Sequence, residues 1–281
     1  MLDCRSFKSS TTGAFVLTAM MWVMPALYAD TAAGLQAFRN KDYATAHREW
    51  KASAEQGQAE AQFNLGMLYL KGLGVGKDPQ LAFRWLRSAA EQGNGEAQFQ
   101  VGQIREKGVG VAPNYVDAMH WYELAAGRGN PQAENSMAVM FEEGFGVEKN
   151  LERAAHWYKL AAESGMPEAQ YRIGLLTENG RGIPRSDVEA AKWYGLAAGQ
   201  GYAPAQVRLG ACYAAGKGVP QDNYKAYFWL TLATKKNLRD AERQRIRLAP
   251  KLSSEDVTKA ERSALEWKPK LASVDKSDGP R

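Results

Sequence analysis

Residues 71–78 read KGLGVGKD, a glycine-spaced loop closed by a lysine and an aspartate. Backbone N–H groups converging on an anion would make such a loop a phosphate cradle, which requires a strand before it and a helix N-terminus after it. A connector between two helices requires only that the chain stop and turn. The stretch recurs: KGVGVAPN (107–114), EGFGVEKN (143–150), NGRGIPRS (179–186) and AGKGVPQD (215–222) follow at steps of 36 residues. Self-similarity at such a period marks a stacked repeat array, and it decides how the loop is read.

Other columns keep the same step without insertion. Ala61, Ala97, Ala133, Ala169 and Ala205 open the units, followed four residues later by Leu65, Val101, Met137, Ile173 and Leu209, and then by Gly66, Gly102, Ala138, Gly174 and Gly210. Later in each unit stand Ala82, Ala118, Ala154, Ala190 and Ala226, and three residues on Trp85, Trp121, Trp157, Trp193 and Trp229. Spacings of three and four are helical, so each unit is two helices; in the first, helix A spans about Ala59–Lys71 and helix B about Pro79–Gln92. Small residues at the crossing allow close approach, and the tryptophan column is expected to fill the space beside them, each buried indole contributing upward of ~2 kcal/mol.

The glycines then have a local cause. Gly72, Gly74 and their copies stand where helix A must stop, and glycine tolerates the left-handed backbone of a C-terminal cap. Val75 and its copies can tuck under the turn. Asp78, Asn114, Asn150, Ser186 and Asp222 are all favoured N-caps for the helix that follows. With a helix before the loop and not a strand, the loop is a connector.

The pattern A-x-x-x-[LVMI]-[GA], G-x-G-[VI], A-x-x-W-x-x-x-A-A-x-x-G resembles the Sel1-like repeat, a relative of the tetratricopeptide repeat, over five units within residues 58–237. The resemblance implies an all-α fold, an α/α solenoid wound as a right-handed superhelix of helix pairs. Residues 30–57 look like a tetratricopeptide-like capping pair, in which Trp50 sits one residue out of register with Trp85. Residues 238–267 read as closing helices, with Ser253 and Asp256 placed for a capping box. Lys268 to Arg281 reads as a loose tail.

The N-terminus has a different character. Arg5 and Lys8 precede an apolar run from Ala14 to Met24, and Pro25 leads into Leu27-Tyr28-Ala29. This is the layout of a secretory signal peptide spanning 1–29, with an apolar core of 11 residues, short of the ~20 that a spanning helix needs. Its removal would take Cys4 and leave Cys212 as the only thiol, so no internal disulfide is expected. The mature chain would carry 34 basic residues (36 minus Arg5 and Lys8) against 30 acidic ones (31 minus Asp3). The excess gathers at 235–251, where Lys235, Lys236, Arg239, Arg243, Arg245, Arg247 and Lys251 face only Asp240 and Glu242. Such a patch suits a weak contact with an anionic surface; without base-stacking motifs, no nucleic acid is expected.

No catalytic, cofactor-binding or metal-binding residues emerge. His120 and His156 are one repeat apart, on the order of 10 Å at the spacing of packed helices, too far to share an ion. Ser273-Val274-Asp275-Lys276 fits S-x-x-K but lacks its companion motifs. Cys212 falls in the core column of Leu68 and Leu176. What remains is surface. A stripe beside the core stripe of helix A, the analogue of the concave groove in tetratricopeptide repeats, carries Glu60, Phe63 and Met67, then Glu96, Phe99, Gln103 and Glu106, then Asn135, Glu142 and the adjacent Glu143, then Tyr171 and Glu178. Its glutamates would make mid-groove acidic and favour a basic partner. The resemblance therefore implies a non-catalytic periplasmic adaptor, a monomer that binds a protein partner and regulates an envelope sensor or a polysaccharide-export or secretion system. The alternative is an envelope hydrolase of the kind linked to cysteine-rich relatives, acting on β-lactams or peptidoglycan; the paired cysteines of that branch are missing here.

Overall fold

The computed structural model describes residues 24–270. The charged start of the expected leader and most of its apolar core, like residues 271–281 with Ser273 and Lys276, lie outside the described residues. Among the described residues there are fourteen α-helices, one 3-10 turn and no strand. The chain divides into two compact units, 1–113 and 114–281. In the first, α1 (Met24–Arg39) pairs with α2 (Tyr43–Glu55), α3 (Ala59–Lys71) with α4 (Pro79–Glu91), and α5 (Gly95–Lys107) packs on α4. Helix α1 is continuous across the expected cut after Ala29.

The second unit opens with α6 (Tyr115–Ala126), which packs on α7 (Pro131–Glu143). Three pairs follow: α7 with α8 (Leu151–Glu163), α9 (Pro167–Asn179) with α10 (Asp187–Gly199), and α11 (Ala203–Ala215) with α12 (Asn223–Thr234). Helices α13 (Arg239–Leu248) and α14 (Ser254–Glu266) both pack on α12 and close the unit.

Each connector follows from its residues. Gly72 takes φ of 72° and donates its N–H to Leu68 O at 2.8 Å, and Leu73 N reaches the same carbonyl at 3.1 Å. Gly74 is left-handed too, and a Cβ there would lie 2.6 Å from Tyr43 Cβ at the start of α2, so this second glycine also lets the loop rest on the preceding pair. The five expected N-caps all form: Asp78, Asn114, Asn150, Ser186 and Asp222 accept the backbone N–H three residues on at 2.9, 3.0, 2.9, 3.2 and 2.9 Å. Ser253 caps α14 in the same way, although its hydroxyl also donates to the Asp256 carboxylate, where a capping box would have that carboxylate accept from the backbone N–H of Ser253.

The core corrects the expectation placed on tryptophan. The large side chains fully sealed from solvent are one position later, Leu86, Tyr122, Tyr158, Tyr194 and Leu230, at 0–1% exposure. Trp85, Trp157, Trp193 and Trp229 are only half-buried, and Trp121 alone is buried. The reason is the crossing itself. A Cβ on Gly66 would lie 2.7 Å from Leu86 Cγ, one on Gly174 2.7 Å from Tyr194 Cε1, and one on Gly210 2.9 Å from Leu230 Cγ. The sealed residue thus presses on bare backbone, while the tryptophan turns toward the preceding repeat: Trp85 packs on the cluster of α1–α3, and Trp229 on that of α10 and α11. Trp50 now makes sense. It stands 36 residues before Leu86, is 2% exposed, and lies against Gly34.

A buried polar column joins successive repeats. Gln62, Gln98, Gln170 and Gln206 each donate Nε2 to the carbonyl eight residues back, Ala54, Ala90, Ala162 and Ala198, at 3.2, 3.2, 3.1 and 3.3 Å. Each bond ties the start of a helix A to the end of the preceding helix B. In the remaining repeat the column holds Glu134, which is 7% exposed.

Replacing Gly66 with alanine introduces a Cβ between Leu86 and the Ala82 carbonyl. Although alanine is the better helix former, urea unfolding is expected to show a loss of about 1–2 kcal/mol, because a filled crossing must either separate the helices or displace Leu86.

Candidate functional site

The helix A stripe does not present its residues alike. Glu60, Glu96 and Glu143 are exposed, Phe63, Met67, Gln103 and Glu106 are half-buried, and Phe99 and Asn135 are each 8% exposed and belong to the interior. In the unit that starts at residue 114, the structure brings Tyr171 against Tyr194 and Tyr202, with ring centroids 6.0 and 5.5 Å apart. The Asn135 Oδ1 is buried and has no hydrogen-bond partner.

Two of the stripe's glutamates hold buried tyrosines. Tyr158 donates its hydroxyl to Glu142 at 2.8 Å, and Tyr194 to Glu178 at 2.7 Å. A phenol sealed at the crossing needs an acceptor, and the last turn of helix A is the nearest element that can supply one. Glu178 further accepts from Lys217 at 2.8 Å and lies 3.6 Å from Arg208. Burial raises its pKa, but the bonds from Lys217 and Tyr194 outweigh burial and leave the carboxyl below the usual range. The Glu178 charge is therefore balanced inside the protein.

One step further along the same columns, the stripe loses bulk. Pro204, Val207 and Ala211 occupy the places of Glu168, Tyr171 and Leu175. Between this small floor and α13 opens a groove of about 720 Å³, flanked by Tyr171 and Leu238 and rimmed by Arg208, Arg239 and Arg243 with Asp240. Sequence reading passed over Pro204, Val207 and Ala211 because they carry no chemistry; the signal was that bulk and charge disappear from every stripe position of one repeat.

The basic segment is divided between internal and external work. Arg245 bonds Glu242, Glu261 and the Tyr227 hydroxyl, and Lys235 donates to Ala264 O, so both fasten the closing helices. Arg243 pairs with Asp240 on the surface. Lys236, Arg239, Arg247 and Lys251 are exposed.

Another concavity, of about 760 Å³, lies on the opposite, helix B side, lined by Trp193, Leu196, Phe228, Trp229 and Trp267. The chain's own C-terminal segment already enters it: Trp267 meets Trp229 edge to face at 6.2 Å, and Lys270 N donates to Gly199 O at 2.8 Å. A third, also about 760 Å³, is lined by Phe141, Arg153, His156 and Trp157 among others, with the Arg153 guanidinium 5.5 Å over the Phe141 ring.

Among the described residues no group of three or more His, Cys, Asp or Glu is arranged to hold a metal ion. His120 and His156 are exposed, each with its ring against the neighbouring tryptophan. His47 bonds the Tyr69 hydroxyl at 2.9 Å, and burial, with Lys51 nearby, lowers its pKa. Cys212 is 6% exposed and its thiol pKa is raised by burial and then by Glu178, the opposite of what an activated nucleophile requires.

The Glu178 cluster makes a pH prediction. A carboxyl whose folded pKa lies below its unfolded value stabilises the fold above the unfolded value of about 4.5, and that contribution is lost as pH falls through the folded pKa. Glu178→Gln is therefore expected to cost about 1–3 kcal/mol at neutral pH, in urea unfolding, and the two proteins should converge as pH falls through the folded pKa of Glu178.

Comparison with known proteins agrees with this geometry. The Sel1 repeat family model matches residues 59–94, 95–130, 131–166, 167–202 and 203–238. The fold is similar to a Sel1 repeat protein from Oxalobacter formigenes, at 34% identity and a TM-score of 0.72, covering 84% of this chain and 95% of that one. It is also similar to c5321, a protective antigen present in uropathogenic Escherichia coli strains, at 26% identity and a TM-score of 0.57 over 85% of this chain; the match spans 61% of that protein's length. Among curated proteins none matches the chain. Five consecutive matched units, with the helix pairs, loops and crossings described above, place the chain in the Sel1 repeat family, whose fold is a protein-interaction module.

Proposed function

We propose that this protein is an exported, non-catalytic scaffold of the periplasm that holds an acidic, apolar-anchored segment of a partner protein in the groove between α11 and α13. The observation that carries this reading is the groove itself: a small apolar floor at Val207 and Ala211, open to solvent, with three arginines on its rim. Apolar side chains of a partner would bury against the floor, and carboxylates would meet guanidinium groups whose planar forks suit them. Glu178 is balanced by Lys217 and Arg208, and the exposed charges at the groove are Arg208, Arg239 and Arg243 against the one carboxylate Asp240, which favours an acidic partner there over the basic one expected. The leader-like residues 1–29 support the periplasmic setting.

Photo-crosslinking in cells from a position on the groove floor, followed by identification of the crosslinked protein, tests this. Arg239 and Arg243 are exposed, so the double variant Arg239→Glu/Arg243→Glu should fold normally and lose the crosslinked partner, with affinity weakened on the order of tenfold or more. Ala211→Trp, which fills the floor, should do the same. A partner retained at full yield by both variants would sink the groove assignment. N-terminal sequencing of the periplasmic fraction should begin at Asp30.

A further inference from the structure

The glutamine column is the place where one repeat departs from the rest. In four repeats a buried amide nitrogen bonds the last carbonyls of the preceding helix B at 3.1–3.3 Å. In the repeat of α7 the side chain has the same length and shape but is Glu134, and the carbonyl eight residues back is Ala126 at the end of α6. An ionised carboxylate has no hydrogen to give, so it would set oxygen against oxygen at a sealed site. A protonated carboxyl has one hydrogen and reproduces the amide. Glu134 Oε2 is buried and has no hydrogen-bond partner.

We propose that Glu134 makes the junction of α6 and α7 a proton-gated joint: protonated, it donates to Ala126 as the glutamines do in the other repeats, and ionised, it releases that link. This goes beyond the scaffold reading and does not depend on it. The environment favours the proton. Burial raises the Glu134 pKa, the Glu163 carboxylate at the end of α8 raises it further, and together they bring it to about 7. Glu163 itself stands 3.7 Å from Lys159, both on the surface. From α6 and the turn after it, the nearby charges Glu123 and Arg128 are exposed, and neither acts on Glu134.

The direction of the effect follows from proton counting. Between the ordinary carboxyl value of 4.5 and about 7, the folded chain keeps a proton that the unfolded chain has lost. Stability therefore falls as pH rises through that window and is level above it. Because a repeat fold is held by nearest-neighbour interfaces, the change should appear first at this junction and not as global unfolding.

The test uses the full chain and Glu134→Gln, which installs the side chain of the other four repeats. Backbone amides of residues 127–134 are followed by hydrogen exchange, corrected for intrinsic rates, at about pH 5.5 and about pH 8.5. The wild type should lose protection there by roughly tenfold or more at the higher pH, while the glutamine variant keeps it. Carboxyl-carbon NMR should show one resonance, absent from the variant, titrating near neutrality. Titration of that resonance in the ordinary carboxylate range would overturn the proposal, and so would an equal loss of protection in the glutamine variant. Failure of the groove variants to lose a partner would leave both of these readouts unmoved, so the two readings fail separately.

Discussion

Everything in this fold depends on how near two helices can come. Where helix A carries glycine and helix B presents Leu86, Tyr194 or Leu230, the side chain seats on bare backbone. That contact removes a large apolar surface from water at the cost of one residue with poor helix propensity. A crossing so tight constrains what surrounds it. Helix A has to end abruptly, because a longer helix would carry the chain past its partner, and the left-handed glycine supplies the stop, its N–H and that of the next residue both donating to one carbonyl. The second glycine and the half-buried tryptophan serve the neighbour instead, one resting on the start of the preceding helix B and the other on the preceding core.

The same crossing decides which acids are available to a partner. Placing tyrosine at a sealed position requires an acceptor for its hydroxyl, and Glu142 and Glu178 fill that need. At Glu178 the charge is also balanced by Lys217 and Arg208, so it is not a feature of the surface. Where the sealed residue is leucine, no acceptor is required, and the repeat of α11 and α12 shows the result: Leu230 at the crossing and Ala214 in the column of Glu178. With Pro204, Val207 and Ala211 also small, space opens in front of α11. The repeat of α3 and α4 also lacks the tyrosine–glutamate pair, with Leu86 and Leu70 in its places, but there Phe63 and Met67 keep the stripe bulky, so the groove needs both the leucine crossing and the small floor.

Much of this was legible in the sequence. The period of 36, the helix pairs, all five N-caps and the connector role of the glycines follow from spacing and residue type. The tryptophan column misled because constancy across units was read as burial. Positions 85 and 86 both fall on the inward half of helix B, and a helical period cannot tell the side that faces the partner helix from the side that faces the next pair. Trp50 held the clue, since it occupies the sealed register and not the tryptophan one. The glutamine column kept the same step and went unread because a polar residue at regular spacing looks like solvated surface until its burial is known. At Glu178 a related limit applies: a sequence displays a charge but not Lys217 and Arg208, the partners that balance it.

Repetition makes a single substitution interpretable in a way that ordinary folds do not. Four glutamines in one environment, bonded to equivalent carbonyls within a narrow range of distances, define what that position is for. Glutamate differs from glutamine by one donor group and a titratable proton, with no change in volume, so packing cannot explain the departure at residue 134. What changes is the chemistry of one interface. A repeat fold tolerates such a change because its stability is approximately a sum over neighbouring interfaces, and weakening one leaves the others intact. A globular core with one continuous network would spread the cost of an ionised buried acid across the molecule. Here the cost stays at the end of α6 and the start of α7, where it acts on the angle and closeness of two helices rather than on the survival of the fold.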